Sequence, residues 1–229
     1  MRKAANIDQK DIFKAIHRSQ HCQRNWNLEA EVPESDIELI LESITQCPSK
    51  QNKHFYNVHL LQDRSTIEQL HDLTRGFGLE DQSITTNSQT LAHLCIVFEA
   101  ANTEQFVKQA YYNRLLIAGE DVNNINWDNH IPDMDLVSSC HSEVMRDQHM
   151  AVGVAAGYAN LTGSLLGYGT GCCACFEPQG VKELLKLDGD CLLIMGIGVA
   201  GDKPRRVHHL DDSIVFPTKR KQPIAVKVY

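Results

Sequence analysis

Four separated stretches of this sequence carry hydrogen-bonding or cationic side chains, the first of them suited to gripping an anion. The first is His17-Arg18-Ser19-Gln20-His21, in which an arginine can fork onto phosphate oxygens and a serine hydroxyl adds a donor. Basic residues also gather at helix ends, so this stretch alone reads equally as a solvated C-terminus. The second is Cys47-Pro48-Ser49-Lys50-Gln51-Asn52-Lys53-His54-Phe55, a proline-stopped helix followed by a donor-rich turn. The third, Thr85-Thr86-Asn87-Ser88-Gln89, precedes an apolar run. The fourth is Phe216-Pro217-Thr218-Lys219-Arg220-Lys221, a basic cluster in an acidic chain; a run of three cations is commonly just a solubilising face.

Two louder patterns carry less. Gly196-Ile-Gly198-Val-Ala-Gly201 matches a dinucleotide fingerprint after a strand, but that chemistry needs a helix to begin inside the motif. A polar stretch follows instead, so the glycines read as a strand end packed close to other backbone. Cys172-Cys173-Ala174-Cys175 holds a C-x-x-C pair with no second pair, and His208 and His209 are adjacent rather than spaced for zinc. We therefore expect no metal site, and a tight loop presenting backbone N–H groups. The histidines show no spacing that argues for a catalytic triad.

The elements that must position these residues follow from apolar spacing. Residues 8–18 read as a helix with Ile12, Phe13 and Ile16 on one face. A second helix follows Pro33, with Ile37, Ile40, Leu41 and Ile44 on one face, and stops at Cys47-Pro48 because the residue before proline leaves the helical region. Tyr56–Leu61 alternates as a strand, residues 64–75 and 103–118 as helices, and Leu94-Cys-Ile-Val-Phe98 as a strand buried on both faces. The Asn-rich segment 120–136, with Trp127 and Pro132, reads as a loop or lid. A long helix spans about 143–166, with a small-residue stripe at Gly153, Gly157, Asn160 and Ser164. The stripe suits either a close subunit contact or ordinary packing within one subunit. Cys191–Met195 and Ile224–Val228 read as further strands, the latter terminal.

With 22 Lys+Arg against 29 Asp+Glu and a net charge of −7, the 229-residue chain lacks the basic surface that nucleic acid requires. No apolar run reaches the roughly 18–20 residues that cross a bilayer. The N-terminus is polar where a signal peptide would be apolar, so a cytosolic address and reduced cysteines are expected. One domain, 1–229, is the simplest organisation.

Taken in order, the Arg18-Ser19 element, the Pro48-Ser49-x-x-Asn52 turn, the Gly169-x-Gly171 loop after the long helix and the late Pro217-x-Lys219-Arg220 segment resemble the nitroreductase family of FMN-dependent oxidoreductases. The resemblance implies an α+β fold, a central mixed sheet surrounded by helices, in an intertwined homodimer with FMN at the subunit interface. It implies that His17, Arg18 and Ser19 bind the FMN phosphate and ribityl chain, with Lys219 or Arg220 reaching the same phosphate. His21 would lie near the pyrimidine edge, Pro48, Ser49 and Lys50 would line the isoalloxazine, Asn52 would support that turn, and Asn87 would bond the ring near O4 and N5. Cys172, Cys173, Ala174 and Cys175 stand where many members have Pro-x-Glu-Gly, so only backbone contacts carry over. No catalytic side chain is implied: flavin N5 does the chemistry, with His21 and Lys50 as electrostatic support for the anionic reduced ring. NADH or NADPH would reduce the flavin, and a small electron-poor acceptor, a nitroaromatic or quinone, would reoxidise it by a ping-pong cycle. The alternatives are a specialised member of the same fold (a dehalogenase, a flavin-fragmenting enzyme or a dehydrogenase of modified peptides) and a flavin-binding or thiol-rich module without turnover.

Overall fold

A computed structural model describes residues 8–76, 84–126, 141–218, 221–222 and 224–228. Helix α1 (Gln9–Arg18) opens on Asp8, whose carboxylate accepts from the Lys10 N–H at 2.8 Å, satisfying one of the free donors of the first turn. Helix α2 (Glu34–Thr45) starts directly after Pro33, buries Ile37, Ile40 and Ile44, and ends before Cys47-Pro48 as expected. Helix α3 (Arg64–Asp72) is capped by Asp63, which accepts from the Thr66 N–H. Helices α4 (Thr103–Ala118), α5 (His141–Leu165) and α6 (Pro178–Leu185) complete the set. Among the described residues no helix is long and apolar enough to cross a membrane.

Strands β1 (Tyr56–Leu61), β2 (Leu94–Ala100), β3 (Gly169–Cys173) and β4 (Cys191–Gly198) form one sheet in the order β1-β2-β4-β3. A mixed sheet would need a parallel pair; every pairing among these four strands is antiparallel. On one face Ile96, Phe98, Met195 and Ile197 pack with Ile40 and Ile44 of α2 and Ala155 and Ala159 of α5. On the other, Cys95, Val97 and Ile194 pack with Ile67 and Leu70 of α3 and Val181 of α6. This double covering is why β2 reads as an unbroken apolar run.

The glycines at the end of β4 serve close packing. A Cβ on Gly196 would lie 1.9 Å from the Gln89 carbonyl oxygen, and one on Gly198 2.2 Å from His93 Nδ1. No helix begins after Gly201 among the described residues, so the dinucleotide motif is excluded. Two other expectations need correction. Cys172 and Cys173 lie inside β3 rather than in a loop, which is left only to Ala174 and Cys175. Among the described residues the alternating segment Ile224–Val228 forms no ladder, and Ile224, Val226 and Val228 are 77%, 83% and 91% exposed. Trp127 and Pro132 of the expected lid, and Lys219 and Arg220, fall outside the described residues.

Candidate functional site

The chain leaving α1 runs between the edge strand β3 and the segment that follows β4. The Gln23 N–H donates to the Thr170 carbonyl at 2.8 Å, Arg24 N–H to the Arg205 carbonyl at 3.0 Å, and Asn27 N–H to the Val199 carbonyl at 3.0 Å. This pairing brings Arg205 to the end of α1. Its Nη1 donates to the carbonyl of Arg18 and, at 3.4 Å, to that of His21. Arg18 in turn donates from Nη1 to the Ser164 carbonyl at 3.2 Å near the end of α5. Burial lowers the Arg205 pKa, and the neighbouring Arg18 and Arg206 charges lower it further. Among the described residues no carboxylate forms an ion pair with Arg18, Arg24, Arg205 or Arg206.

Two arginines converging without a counter-ion in an acidic protein form an anion cradle. Arg205 is the residue that sequence reasoning missed. The signal was present: Pro204-Arg205-Arg206 is a second proline-plus-cation element, beginning thirteen residues before the longer run at Pro217. The longer run was the louder of the two; the antiparallel pairing of 24–27 with 199–205 brings Arg205 to Arg18, while Lys219 and Arg220 lie outside the described residues.

Behind this pair Arg24 is 9% exposed and donates to the Thr86 carbonyl at 2.5 Å. Burial and the Arg206 charge lower its pKa to about 10. Its guanidinium carbon lies 3.9 Å from the Phe216 ring centroid and that of Arg206 lies 5.6 Å away, a cation–π arrangement that fastens the C-terminal segment to the site.

The other expected residues divide. His17 hydrogen-bonds Gln20 at 3.0 Å and faces the Phe13 ring at 4.3 Å; the Ser19 hydroxyl donates to the Ile16 carbonyl at 2.9 Å. Both flank Arg18 on the exposed side. His21 is half-buried beside Arg205. The end of β3 belongs to the same cluster, since the Cys172 carbonyl accepts from Gln89 Nε2 at 3.3 Å and from the Cys22 thiol at 3.8 Å. Asn87 is 3% exposed, and its amide donates to the carbonyls of Arg75 at 2.5 Å and Cys175 at 3.1 Å. Both amide protons are thus engaged in shaping the loop rather than offered to a ligand. Burial pushes the Cys172 thiol up to about 12 and the Cys173 thiol to about 11, which keeps them protonated and poor nucleophiles near neutral pH. Among the described residues no cluster of three or more His, Cys, Asp or Glu is disposed to hold a metal.

Pro48, Ser49, Lys50 and Asn52 lie elsewhere. Their turn has Gln51 at φ 55° and Asn52 at φ 54°, the left-handed region that non-glycine residues seldom occupy. The Ser49 hydroxyl donates across it to the Lys53 carbonyl at 2.7 Å, and Lys50 Nζ lies 2.5 Å from Asp147 Oδ2 on α5. A cavity of about 580 Å³ opens beside it, lined in part by Ser49, Asn52, His54 and Tyr56. Asp147 stands near the start of α5 and Ser164, which holds Arg18, near its end. At 1.5 Å per residue the helix separates them by roughly 25 Å. Within one chain, the turn and the arginine cradle therefore lie at opposite ends of α5.

A family model described as the nitroreductase family matches residues 18–199. Among curated proteins none matches the chain by sequence. Among solved structures the chain is similar to a protein of Exiguobacterium sibiricum assigned as a nitroreductase and crystallised with FMN, at 15% identity and TM-score 0.61, covering 96% of this chain and 95% of that one. It is similar to a nitroreductase family protein of Streptococcus pneumoniae, at 16% identity and TM-score 0.60, covering 90% and 100%. A Staphylococcus epidermidis protein assigned as an NAD(P)H:FMN oxidoreductase aligns at 13% identity and TM-score 0.61, covering 97% and 96%.

Proposed function

The chain belongs to the nitroreductase family, and from that premise we propose that it is an FMN-dependent oxidoreductase that uses NADH or NADPH to reduce a small electron-poor acceptor such as a nitroaromatic or a quinone. The observation that carries this reading is the convergence of Arg18 and Arg205 with no carboxylate among the described residues to neutralise them. A phosphate monoester dianion fits such a cradle, since each guanidinium can add a charge-assisted bond while mutual repulsion is relieved. His21 and the end of β3, at Cys172–Cys175, lie next to the cradle, where the ring of the same mononucleotide would extend. When bound, FMN supplies the hydride chemistry at N5; the chain supplies grip, orientation and charge.

The second half-site comes from a second copy in this reading. Helix α5 exposes Met150, Val154, Tyr158, Leu161 and Leu165 along one stripe, and Phe13 and Ile16 of the adjoining α1 are exposed as well. These apolar side chains are what a subunit contact would cover. A Cβ on Gly153 or Gly157 would meet nothing within 4 Å, so another helix could approach closely there. Those two glycines lie midway between Asp147 and Ser164. A two-fold axis exchanges equivalent patches, so helices crossing at the glycines place the Lys50–Asp147 end of one copy opposite the Arg18–Ser164 end of the other. Pro48, Ser49, Lys50 and Asn52 of one copy then complete the site gripped by Arg18 and Arg205 of its mate, with the exposed segment 224–228 available to intertwine the pair. We place this homodimer in the cytosol, where its free thiols stay reduced.

The test is anaerobic titration of the FMN-loaded protein with NADH and, separately, NADPH. Bleaching of the flavin band by at least one nicotinamide, and its return on adding a quinone, supports the assignment. A bound flavin that neither nicotinamide reduces removes the oxidoreductase cycle.

A further inference from the structure

The Lys50–Asp147 pair is asymmetric. The carboxylate is nearly buried, at 9% side-chain exposure, and anchored on α5; the ammonium is 51% exposed and sits on a turn containing two consecutive left-handed non-glycine residues. Such a turn persists only where its surroundings hold it. The Ser49–Lys53 bond holds it from within, and the Asp147 contact is its ion pair to the rest of the chain. Lys50 lowers the Asp147 pKa, principally through their hydrogen bond, so the carboxylate stays charged. Asp147 lies on the side of α5 that continues into the exposed stripe Met150, Val154, Tyr158, Leu161 and Leu165, the side that faces a second copy in the reading above. The pair therefore stands at the seam where the two half-sites meet, and Asp147 determines both where the Lys50 ammonium sits and how much of its charge remains uncompensated.

Building on that reading, we infer that Asp147 is a positioning residue that holds Lys50 at the flavin ring bound by the other copy and partly offsets its charge, and so sets how readily the flavin is reduced. Reduction leaves negative charge on the ring, so an uncompensated ammonium favours the reduced form and an uncompensated carboxylate disfavours it. Asp147→Asn keeps the shape and a hydrogen-bond acceptor for Lys50 but deletes the opposing charge. Lys50→Met leaves Asp147 with only the longer contact from Arg146, whose Nη2 lies 3.5 Å from Oδ1, so more of the carboxylate's charge is uncompensated. The double variant removes both charges.

The experiment measures the two-electron midpoint potential of FMN-loaded wild-type and variant proteins by equilibration with a reference dye. A unit charge within a layer or two of the ring changes the ratio of reduced to oxidised affinity on the order of tenfold, a shift of about 30 mV for a two-electron couple. We expect Asp147→Asn to raise the potential by about that amount, Lys50→Met to lower it, Asp147→Glu to match wild type, and the double variant to return to within threefold. Should Asp147→Asn fail to fold, the lowered potential of Lys50→Met and its recovery in the double variant carry the test. FMN stoichiometry is determined first. Wild type that takes no FMN overturns the parent reading and this one with it, whereas wild type that binds FMN with all variants at the wild-type potential overturns this inference alone.

Discussion

Replacing Arg205 by alanine separates two tasks that the structure gives one side chain. Its guanidinium ties down the carbonyls of Arg18 and His21, and in the proposed complex it also meets the cofactor phosphate. The first task belongs to the protein alone: two hydrogen bonds at about 0.5–1.5 kcal/mol each appear as a lower melting temperature without ligand. The second appears in FMN affinity, where one charge-assisted bond contributes about 1.5–3 kcal/mol, or roughly 10- to 150-fold in Kd. Riboflavin separates the two because it lacks the phosphate. The assay is a fluorescence titration of Arg205→Ala and Arg18→Ala with FMN and with riboflavin, at low and moderate salt. We expect both variants to lose FMN affinity by that factor, to show a weaker salt dependence, and to bind riboflavin about as wild type does. Equal losses for the two flavins would mean that the arginines merely hold the backbone, and unchanged FMN affinity in both variants would remove them from the site.

Gly157→Leu fills open space on α5 and should favour the helix itself by up to about 1 kcal/mol while blocking close approach of a second copy. Sedimentation velocity should therefore show a monomer at concentrations where wild type is dimeric, and a persistent dimer would move the interface off this face. His71, 4% exposed and bonded to Thr90 at 3.0 Å, has its pKa lowered to about 4 by burial and the nearby His208. A folded-state pKa below the unfolded value of about 6.5 means that the unfolded chain binds the proton first. The associated stability is thus complete above pH 6.5 and lost as pH falls toward 4, by about 3 kcal/mol. Urea unfolding of His71→Gln across pH 7 to 4 should show a flatter decline than wild type, since His93, His208 and His209, also shifted down, remain. An unaltered slope would refute the role given to His71.

Periodicity made most of the elements legible. Ile37, Ile40 and Ile44 mark one buried helix face, and Leu94–Phe98 has no polar position because helices cover both sides of β2. It failed where burial depends on something other than the chain's own core. Phe13 and Ile16 obey helical spacing yet are exposed, because spacing marks an apolar face without saying what covers it. Val226 and Val228 alternate as a strand should, but alternation does not provide an edge to pair with. At the site, Arg18 and the Pro48–Asn52 turn were legible as residue types, whereas their separation along α5 was not, since it depends on three-dimensional placement. Arg205 was hidden for the same reason: its role follows from the pairing of residue 24 with residue 205, a contact across most of the chain.

A crystal structure grown with FMN is the most direct measurement. We expect the phosphate within hydrogen-bonding reach of Arg18 and Arg205 of one copy and the ring against Ser49 and Lys50 of the other. An ordered flavin held by a single copy, or one seated away from both arginines, would contradict this expectation.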